Sequence, residues 1–301
     1  MMNLNAVTID SLHLEGQSGK NILVDVLRLD KTHRVISGNK WFKLKYYLEQ
    51  ALTEKSAGII TFGGTYSNHI VATACAAKTH NLKCIGFIRG EKPATLSHTL
   101  RHAEEYHMQL EFLSRTEYKT KNEEDFLQQI KIKFPGFFVV PEGGAGAAGI
   151  KGSSEIFDVI DYTKYSHFIC AVGTGTTFAG IANRLIAGQS LTGICVLKGM
   201  HNILNEIKPF IQLTDISIRA EINHDYHFEG YAKKNQKLVQ FMNSFFKYTQ
   251  IPSDFVYTGK LFYATWDLLK KNHFPPGSKL LIIHSGGLQG NQSLPEGLLC
   301  Y

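Results

Sequence analysis

The sequence predicts an α/β protein whose open, twisted, mostly parallel sheets are covered by helices. Three observations lead there. Short apolar, β-branched runs alternate with longer segments of helical period, and glycine or polar turns separate them along the chain. Strands that alternate with helices in this way pair in parallel and are buried on both faces. The chain also has 301 residues, enough for two domains at about 150 residues each.

Strands are predicted at residues 21–27, 58–62, 83–88, 110–113, 137–140, 168–172, 193–197 and 279–284. Each is a compact apolar run such as Ile59-Ile60-Thr61-Phe62 or Leu280-Leu281-Ile282-Ile283. Helices are predicted between them at 41–52, 68–79, 96–107, 123–133, 177–187, 237–249 and 260–270. Open sheets of this kind take ligands beyond the carboxyl ends of their strands. The glycine-rich stretches fall at those places: Gly63-Gly64, Gly143-Gly144-Ala145-Gly146, Gly173-Thr174-Gly175 and Ser285-Gly286-Gly287.

Composition narrows the function classes. Hydrophobic residues make up 44% and charged residues 19%, an ordinary globular balance that argues against disorder. The net charge of +6 is spread along the chain, which suits small anionic ligands better than nucleic acid. Five widely spaced cysteines form no C-x-x-C pair, so they predict reduced packing residues rather than a disulfide framework or a zinc site. The thirteen histidines include no H-E-x-x-H or similar spacing, which sets aside a metal hydrolase. The stretch from Met1 to Gly16 lacks the pattern of a signal peptide, and no apolar run approaches the ~20 residues of a membrane span. A cytoplasmic protein that binds neither membrane nor nucleic acid is expected.

Four local features bear on chemistry. Gly173-Thr174-Gly175-Thr176-Thr177 joins an apolar strand to a helix, where converging N–H groups, hydroxyls and the helix dipole suit a phosphate. It is neither a P-loop nor a dinucleotide fingerprint, because no Gly-Lys-Ser/Thr follows and Phe178 stands where a third glycine belongs. A tight strand-to-helix turn would need the same glycines. Ser37-Gly38-Asn39-Lys40 puts a lysine at the start of a helix. There the dipole and nearby rings lower an amine's pKa and favour the neutral form that attacks carbonyls. The plain alternative is that Lys40, Lys43 and Lys45 are solvated charges. In Gly63-Gly64-Thr65-Tyr66-Ser67-Asn68-His69, Ser67 or Asn68 could cap a helix or help its N–H groups hold a carboxylate. Val256-Tyr257-Thr258-Gly259-Lys260 is a turn into a helix or a source of active-site groups. Together these features specify pyridoxal phosphate held as a Schiff base and acting on an amino acid.

The order of these motifs resembles the tryptophan-synthase-β-like class of pyridoxal phosphate enzymes, fold type II. More narrowly, it resembles the family of 1-aminocyclopropane-1-carboxylate (ACC) deaminase and D-cysteine desulfhydrase, from about Leu27 to Gly290. The resemblance implies two sheets, with a small domain at 43–148 inserted into a cofactor domain made of 1–42 and 149–301. It also implies a homodimer. By position, Lys40 matches the Schiff-base lysine and Asn68 the asparagine beside the pyridine hydroxyl. Ser67 and His69 match residues that receive the substrate carboxylate and reacting end, and Gly173, Thr174, Gly175, Thr176 and Thr177 match the phosphate loop. Tyr257 and Tyr231, 26 positions earlier, match two active-site tyrosines. Glu142-Gly143-Gly144 resembles a loop near the cofactor.

Three positions choose between the two activities. The residue after the second tyrosine faces the pyridine nitrogen in this family and is Glu in the deaminases, but here it is Thr258. Ser285 precedes the late Gly-Gly where deaminases tend to have Leu, and His69 replaces their Gln. All three lean toward β-elimination of D-cysteine to pyruvate, hydrogen sulfide and ammonia. ACC deamination to 2-oxobutyrate is the alternative within the fold, and a non-catalytic phosphate-ligand protein the alternative outside it. In the expected reaction Lys40 takes the α-proton, Tyr231 and Tyr257 position the leaving group or relay protons, and Ser67 and His69 fix the carboxylate. Departures from the family pattern lie near the expected substrate pocket: Trp41-Phe42, Tyr66 and Ala232-Lys233-Lys234-Asn235.

Overall fold

Strands β7 (His167–Val172) and β10 (Lys279–His284) show why this fold reads as apolar runs. On β10, Leu281 and Ile283 enter one core cluster while Leu280 and Ile282 enter another. On β7, Phe168, Cys170 and Val172 divide from Ile169 and Ala171 in the same way. Successive side chains of a strand point to opposite faces, so a sheet with a core on each side needs apolar residues at every position. Each fully buried Leu, Ile or Phe contributes roughly 1.5–3 kcal/mol.

The computed structural model describes residues 3–13 and 21–301. The amino-terminal stretch read for targeting signals therefore lies partly outside the described residues. The remaining strands are β1 (Ile9–Leu12), β2 (Leu23–Arg28), β3 (Gly58–Gly64), β4 (Lys83–Arg89), β5 (Met108–Leu113), β6 (Phe137–Val140), β8 (Ser190–Cys195) and β9 (Arg219–Asn223). Six form one sheet in the order β1-β2-β10-β7-β8-β9, and four form a second in the order β5-β4-β3-β6. Only the β1–β2 pair is antiparallel among the described ladders. The second sheet is also buried on both faces: Ile59, Cys84 and Ile88 enter one cluster, and Ile60, Phe62, Ile85 and Phe87 another.

The helices are α1 (Asn39–Thr53), α2 (Asn68–Thr79), α3 (His98–Glu105), α4 (Arg115–Lys119), α5 (Glu124–Lys133), α6 (Ala147–Ser154), α7 (Thr176–Ala182), α8 (Ile203–Ile207), α9 (Gln236–Thr249) and α10 (Thr258–Lys270). Among the described residues no helix is long and apolar enough to cross a membrane. Two expectations need correction. The strand predicted at 193–197 begins three residues earlier and stops at Cys195, because the ladder to β7 pairs the polar Ser190 with His167. The helix predicted at 177–187 ends at Ala182, where the Asn183 side chain turns to bond Phe210 O and Gln212 N–H.

Helix α6 was not predicted, because Ala147-Ala148-Gly149-Ile150-Lys151-Gly152-Ser153-Ser154 is glycine-rich. Its glycines are there for contact. A Cβ on Gly152 would lie 1.8 Å from Phe42 O of α1, and one on Gly180 of α7 would lie 2.5 Å from Ser153 Cβ. Helix propensity alone favours alanine over glycine by roughly 0.5–1 kcal/mol. Gly152→Ala should instead lower stability by about 1–3 kcal/mol, the usual range for overpacking. Thermal unfolding checks this, and an unchanged or raised midpoint would refute the close-packing account.

Candidate active site

A cavity of about 480 Å³ is lined by residues that follow strand ends in both sheets: Gly64 and Arg89 at the ends of β3 and β4, then Glu142, Gly173, Leu197 and Ser285 after β6, β7, β8 and β10. Lys40, Ser67, Asn68, His69, Thr174, Gly175, Thr177, Tyr231 and Tyr257 share its wall. Thr176 and Thr258 are not part of that wall; both are buried, each next in sequence to a residue that is. The chain thus brings together segments more than two hundred residues apart.

Lys40 is the second residue of α1. Its Nζ donates to Asn39 Oδ1 (2.8 Å), and Asn39 Nδ2 donates to Thr177 Oγ1 (2.8 Å). The early lysine and the late glycine-threonine loop are therefore two hydrogen bonds apart. Burial lowers the Lys40 amine from 10.5 to about 8, against the opposing pull of Asp254. Lys43 corrects the alternative of solvated lysines: it is 6% exposed, and its Nζ lies 3.5 Å from Thr174 Oγ1. Burial first, and then the charge of Lys40, push its amine well below the ordinary range. Lys45 does sit nearer the surface, paired with Glu155 at 2.7 Å.

The loop at Gly173–Thr177 fits a phosphate. Gly175 is left-handed (φ +74°), and a Cβ on it would meet Ile207 Cγ2 at 2.7 Å. Thr174 and Thr176 share a hydroxyl–hydroxyl bond of 2.9 Å. Lys43 stands beside them with no carboxylate partner among the described residues. A buried ammonium next to hydroxyls and backbone N–H groups is completed by an anion.

At the start of α2, Ser67 is the N-cap residue, but its hydroxyl makes no capping bond. Asn68 Nδ2 donates to Gly287 O (3.3 Å), while its buried Oδ1 has no partner. Thr61 donates its hydroxyl proton to Val140 O (2.9 Å), so its oxygen accepts from His69 Nε2–H at 2.8 Å. The tautomer follows from that network. The ring's one N–H is spent, and burial, then Lys40 and Lys43, lower its pKa to about 3. The Tyr231 and Tyr257 rings meet edge to face, with centroids 6.1 Å apart, and Lys40 Nζ is 5.9 Å from the Tyr257 centroid. Burial raises both phenols, Tyr257 well above its usual value.

Two residues that brace the site carry contacts the sequence analysis did not assign to them. The Asp254 carboxylate accepts from the N–H groups of Val256, Tyr257 and Thr258 (2.9, 2.9 and 2.8 Å) and from Thr258 Oγ1 (2.7 Å). An aspartate just ahead of a predicted helix is a capping signal that could have found it. Lys260 is wholly buried. Its Nζ donates to His227 O (2.8 Å) and Gly230 O (2.7 Å), holding the turn that carries Tyr231. Three non-glycine residues there, Phe228, Glu229 and Ala232, have positive φ, a backbone state with a real cost. Nothing local in the sequence marks that clamp.

A family model described as "Pyridoxal-phosphate dependent enzyme" matches residues 9–286. The chain belongs to that family. Pyridoxal phosphate is its cofactor, and the non-catalytic alternative falls away. A Pyrococcus abyssi protein, provisionally named a 1-aminocyclopropane-1-carboxylate deaminase, is 28% identical over 89% of this chain and 85% of its own. The Arabidopsis thaliana "Bifunctional D-cysteine desulfhydrase/1-aminocyclopropane-1-carboxylate deaminase, mitochondrial" is 26% identical over 88% of this chain and 72% of its own. A crystal structure of an "ACC deaminase homologue" superposes with a TM-score of 0.79 at 26% identity, covering 95% of this chain and 90% of that one. The resemblance read from the spaced motifs thus extends along about nine-tenths of this pyridoxal phosphate enzyme.

Two predictions follow from the buried amines. In cofactor-free enzyme, acetylation of Lys40 by acetic anhydride, followed by mass spectrometry, should be half-maximal near pH 8, whereas exposed lysines titrate near about 10.4. A Lys40 that reacts only with the exposed set would overturn the burial argument. Lys260→Met should leave two carbonyls unpaired at about 1–3 kcal/mol each and speed amide exchange around Tyr231. Unchanged exchange there would show that the turn holds itself.

Proposed function

We propose that this enzyme catalyses β-elimination from a small amino acid, D-cysteine foremost, yielding pyruvate, hydrogen sulfide and ammonia. The observation that carries the choice is Thr258. It is a neutral hydroxyl at the position where, by resemblance, a deaminase has a carboxylate facing the ring nitrogen. Asp254, four residues before it, does not fill that role, because its lone pairs are taken by three N–H groups and the Thr258 hydroxyl.

Lys40 would hold the cofactor through Nζ, the Gly173–Thr177 loop with Lys43 would hold its phosphate, and Asn68 and Ser285 would border its ring, with Thr258 buried next to the lining residue Tyr257 and donating its hydroxyl to Asp254. When bound, the cofactor supplies an aldehyde for amines and an electron-withdrawing ring that stabilises negative charge at the substrate Cα. Lys40 Nζ, a free amine from about pH 8 upward, takes the Cα proton. Tyr231 and Tyr257, kept protonated by burial, can give a proton to a departing thiolate. The substrate carboxylate falls to Ser67 Oγ and the backbone N–H groups at the start of α2, since the His69 ring has no donor left. A neutral hydroxyl at position 258 suffices when the leaving group is good, as thiolate is, whereas opening a cyclopropane asks for a stronger electron sink. The same reading carries with it a cytoplasmic homodimer, with 43–148 as the smaller domain and 1–42 plus 149–301 as the larger.

The ACC deaminase reading is supported by the names of the relatives. The two readings separate in one assay, keto-acid release from D-cysteine, ACC and a panel of D- and L-amino acids. Pyruvate and sulfide from D-cysteine should dominate, and Thr258→Glu should raise the ratio of 2-oxobutyrate to pyruvate. Lys40→Ala should lose the visible absorbance of the holoenzyme and slow turnover by roughly 10²–10⁴-fold, the range for a lost general base. Faster release of 2-oxobutyrate from ACC than of pyruvate from any panel member would refute the elimination reading.

A further inference from the structure

We propose that Arg89 is a substrate-binding residue whose guanidinium seats the amino acid's α-carboxylate, together with the turn from Gly64 to Asn68. The inference rests on reading the cavity as an amino-acid site and assigns it a residue outside the motifs that revealed it. Arg89 ends β4 and pairs in register with Gly64, the last residue of β3. Both therefore stand at the carboxyl edge of the four-stranded sheet, and both line the cavity. A Cβ on Gly64 would lie 3.7 Å from Arg89 Nη2, so the guanidinium lies alongside that glycine. There the Gly64–Ser67 turn is closed by Ser67 N–H to Gly64 O at 2.9 Å.

The charge at this spot is uncommitted. Lys121, on the same wall, is paired with Glu142 at 3.3 Å. Arg89 has a weak approach to the Tyr118 ring, 5.9 Å from Cζ to centroid. Among the described residues no carboxylate or carbonyl takes its N–H groups. The turn beside it is equally unspent: the Ser67 hydroxyl makes no capping bond and the first turn of α2 holds no acid. A helix start without an acidic residue favours an anion. A guanidinium meets a carboxylate through two parallel hydrogen bonds, which fixes orientation as well as charge. Every amino-acid substrate brings one such group.

The test uses the holoenzyme and its Arg89→Gln and Arg89→Lys variants. Binding of D-cysteine, ACC and D-aspartate is read from the change in visible absorbance, and turnover is read where it occurs. Arg89→Gln should raise Kd or KM about tenfold for all three ligands with kcat nearly unchanged, the mark of a contact made equally before and during reaction. Arg89→Lys should recover part of that loss. D-cysteine methyl ester should bind wild type and Arg89→Gln alike, and the rise of Kd with salt should flatten in Arg89→Gln. Unchanged Kd values would overturn the proposal. So would an effect confined to D-aspartate, which would make the guanidinium a side-chain reader, or loss of the holoenzyme absorbance, which would place it with the cofactor. Because binding is scored without turnover, a failure of the D-cysteine reading leaves this test intact.

Discussion

Two turns of backbone meet at a point where neither can carry a side chain, and the site depends on that contact. A Cβ on Gly38 would lie 1.9 Å from Ser285 O, and one on Gly286 would lie 2.4 Å from Ser37 Oγ. Gly38 has a φ of +69°, and the next residue, Asn39, donates its N–H to Ser285 O at 3.3 Å. The start of α1 is thereby fixed to the carboxyl end of β10, and Asn39 passes that placement to Thr177. The following glycine continues the junction: a Cβ on Gly287 would lie 2.9 Å from Asn68 Nδ2 and 3.4 Å from Asp254 Cγ. Three glycines thus let the lysine turn, the asparagine turn and the aspartate cap converge on one strand end. Any side chain large enough to separate the turns would also separate the amine from the loop.

Placement by backbone leaves the side chains free to be electrostatically costly. Two amines, Lys40 and Lys43, share a buried wall; burial lowers both, and the charge of Lys40 lowers Lys43 further. The nearby His69 is held neutral by burial first and then by both amines. A wall of this kind is unstable toward losing protons and receptive to anions, because an opposite charge restores what burial and like charge take away. Lys43, beside the threonines of the loop, is the group that an anion there would return to its charged form. Lys40 faces the Tyr257 ring instead, and so the two amines, three residues apart on one helix, have different neighbours.

The sequence was legible where the fold is locally dictated. The predictions at 137–140, 279–284 and 68–79 match β6, β10 and α2 to the residue, because uninterrupted apolar strands, even the half-buried edge strand β6, and a helix of small apolar residues carry their own signal. It was less legible at edges and at close contacts. Edge strands β1 and β9 carry polar residues such as Asp10, Ser11, Arg219 and Glu221 that break the apolar pattern. Helix α6 was hidden by the glycines that let it touch α1. In the site, the motif-bearing residues line one cavity or are next in sequence to residues that do. Burial, however, is a property of the whole fold: the sequence offered no way to see that Lys43 is enclosed or that Lys260 clamps the Tyr231 turn, and for Asp254 it offered only a capping signal.

In the proposed reaction, the hydrogen bonds of Asp254, His69 and Lys260 decide which groups remain as acid and base. Asp254 is occupied by four donors and serves as an anchor. His69 has spent its N–H on Thr61, and Lys260 has spent its amine on two carbonyls. Beside Lys40 this leaves the phenols of Tyr231 and Tyr257. In water a lysine and a tyrosine titrate within about half a unit of one another, near 10, and could not act as opposite partners at neutral pH. Burial disfavours the charged form of each, and those forms have opposite sign. One enclosure therefore drives the amine down to about 8 and the Tyr257 phenol well up. A base without its proton and an acid with its proton then coexist over a wide pH range, and this follows from shared desolvation, with no charged partner required.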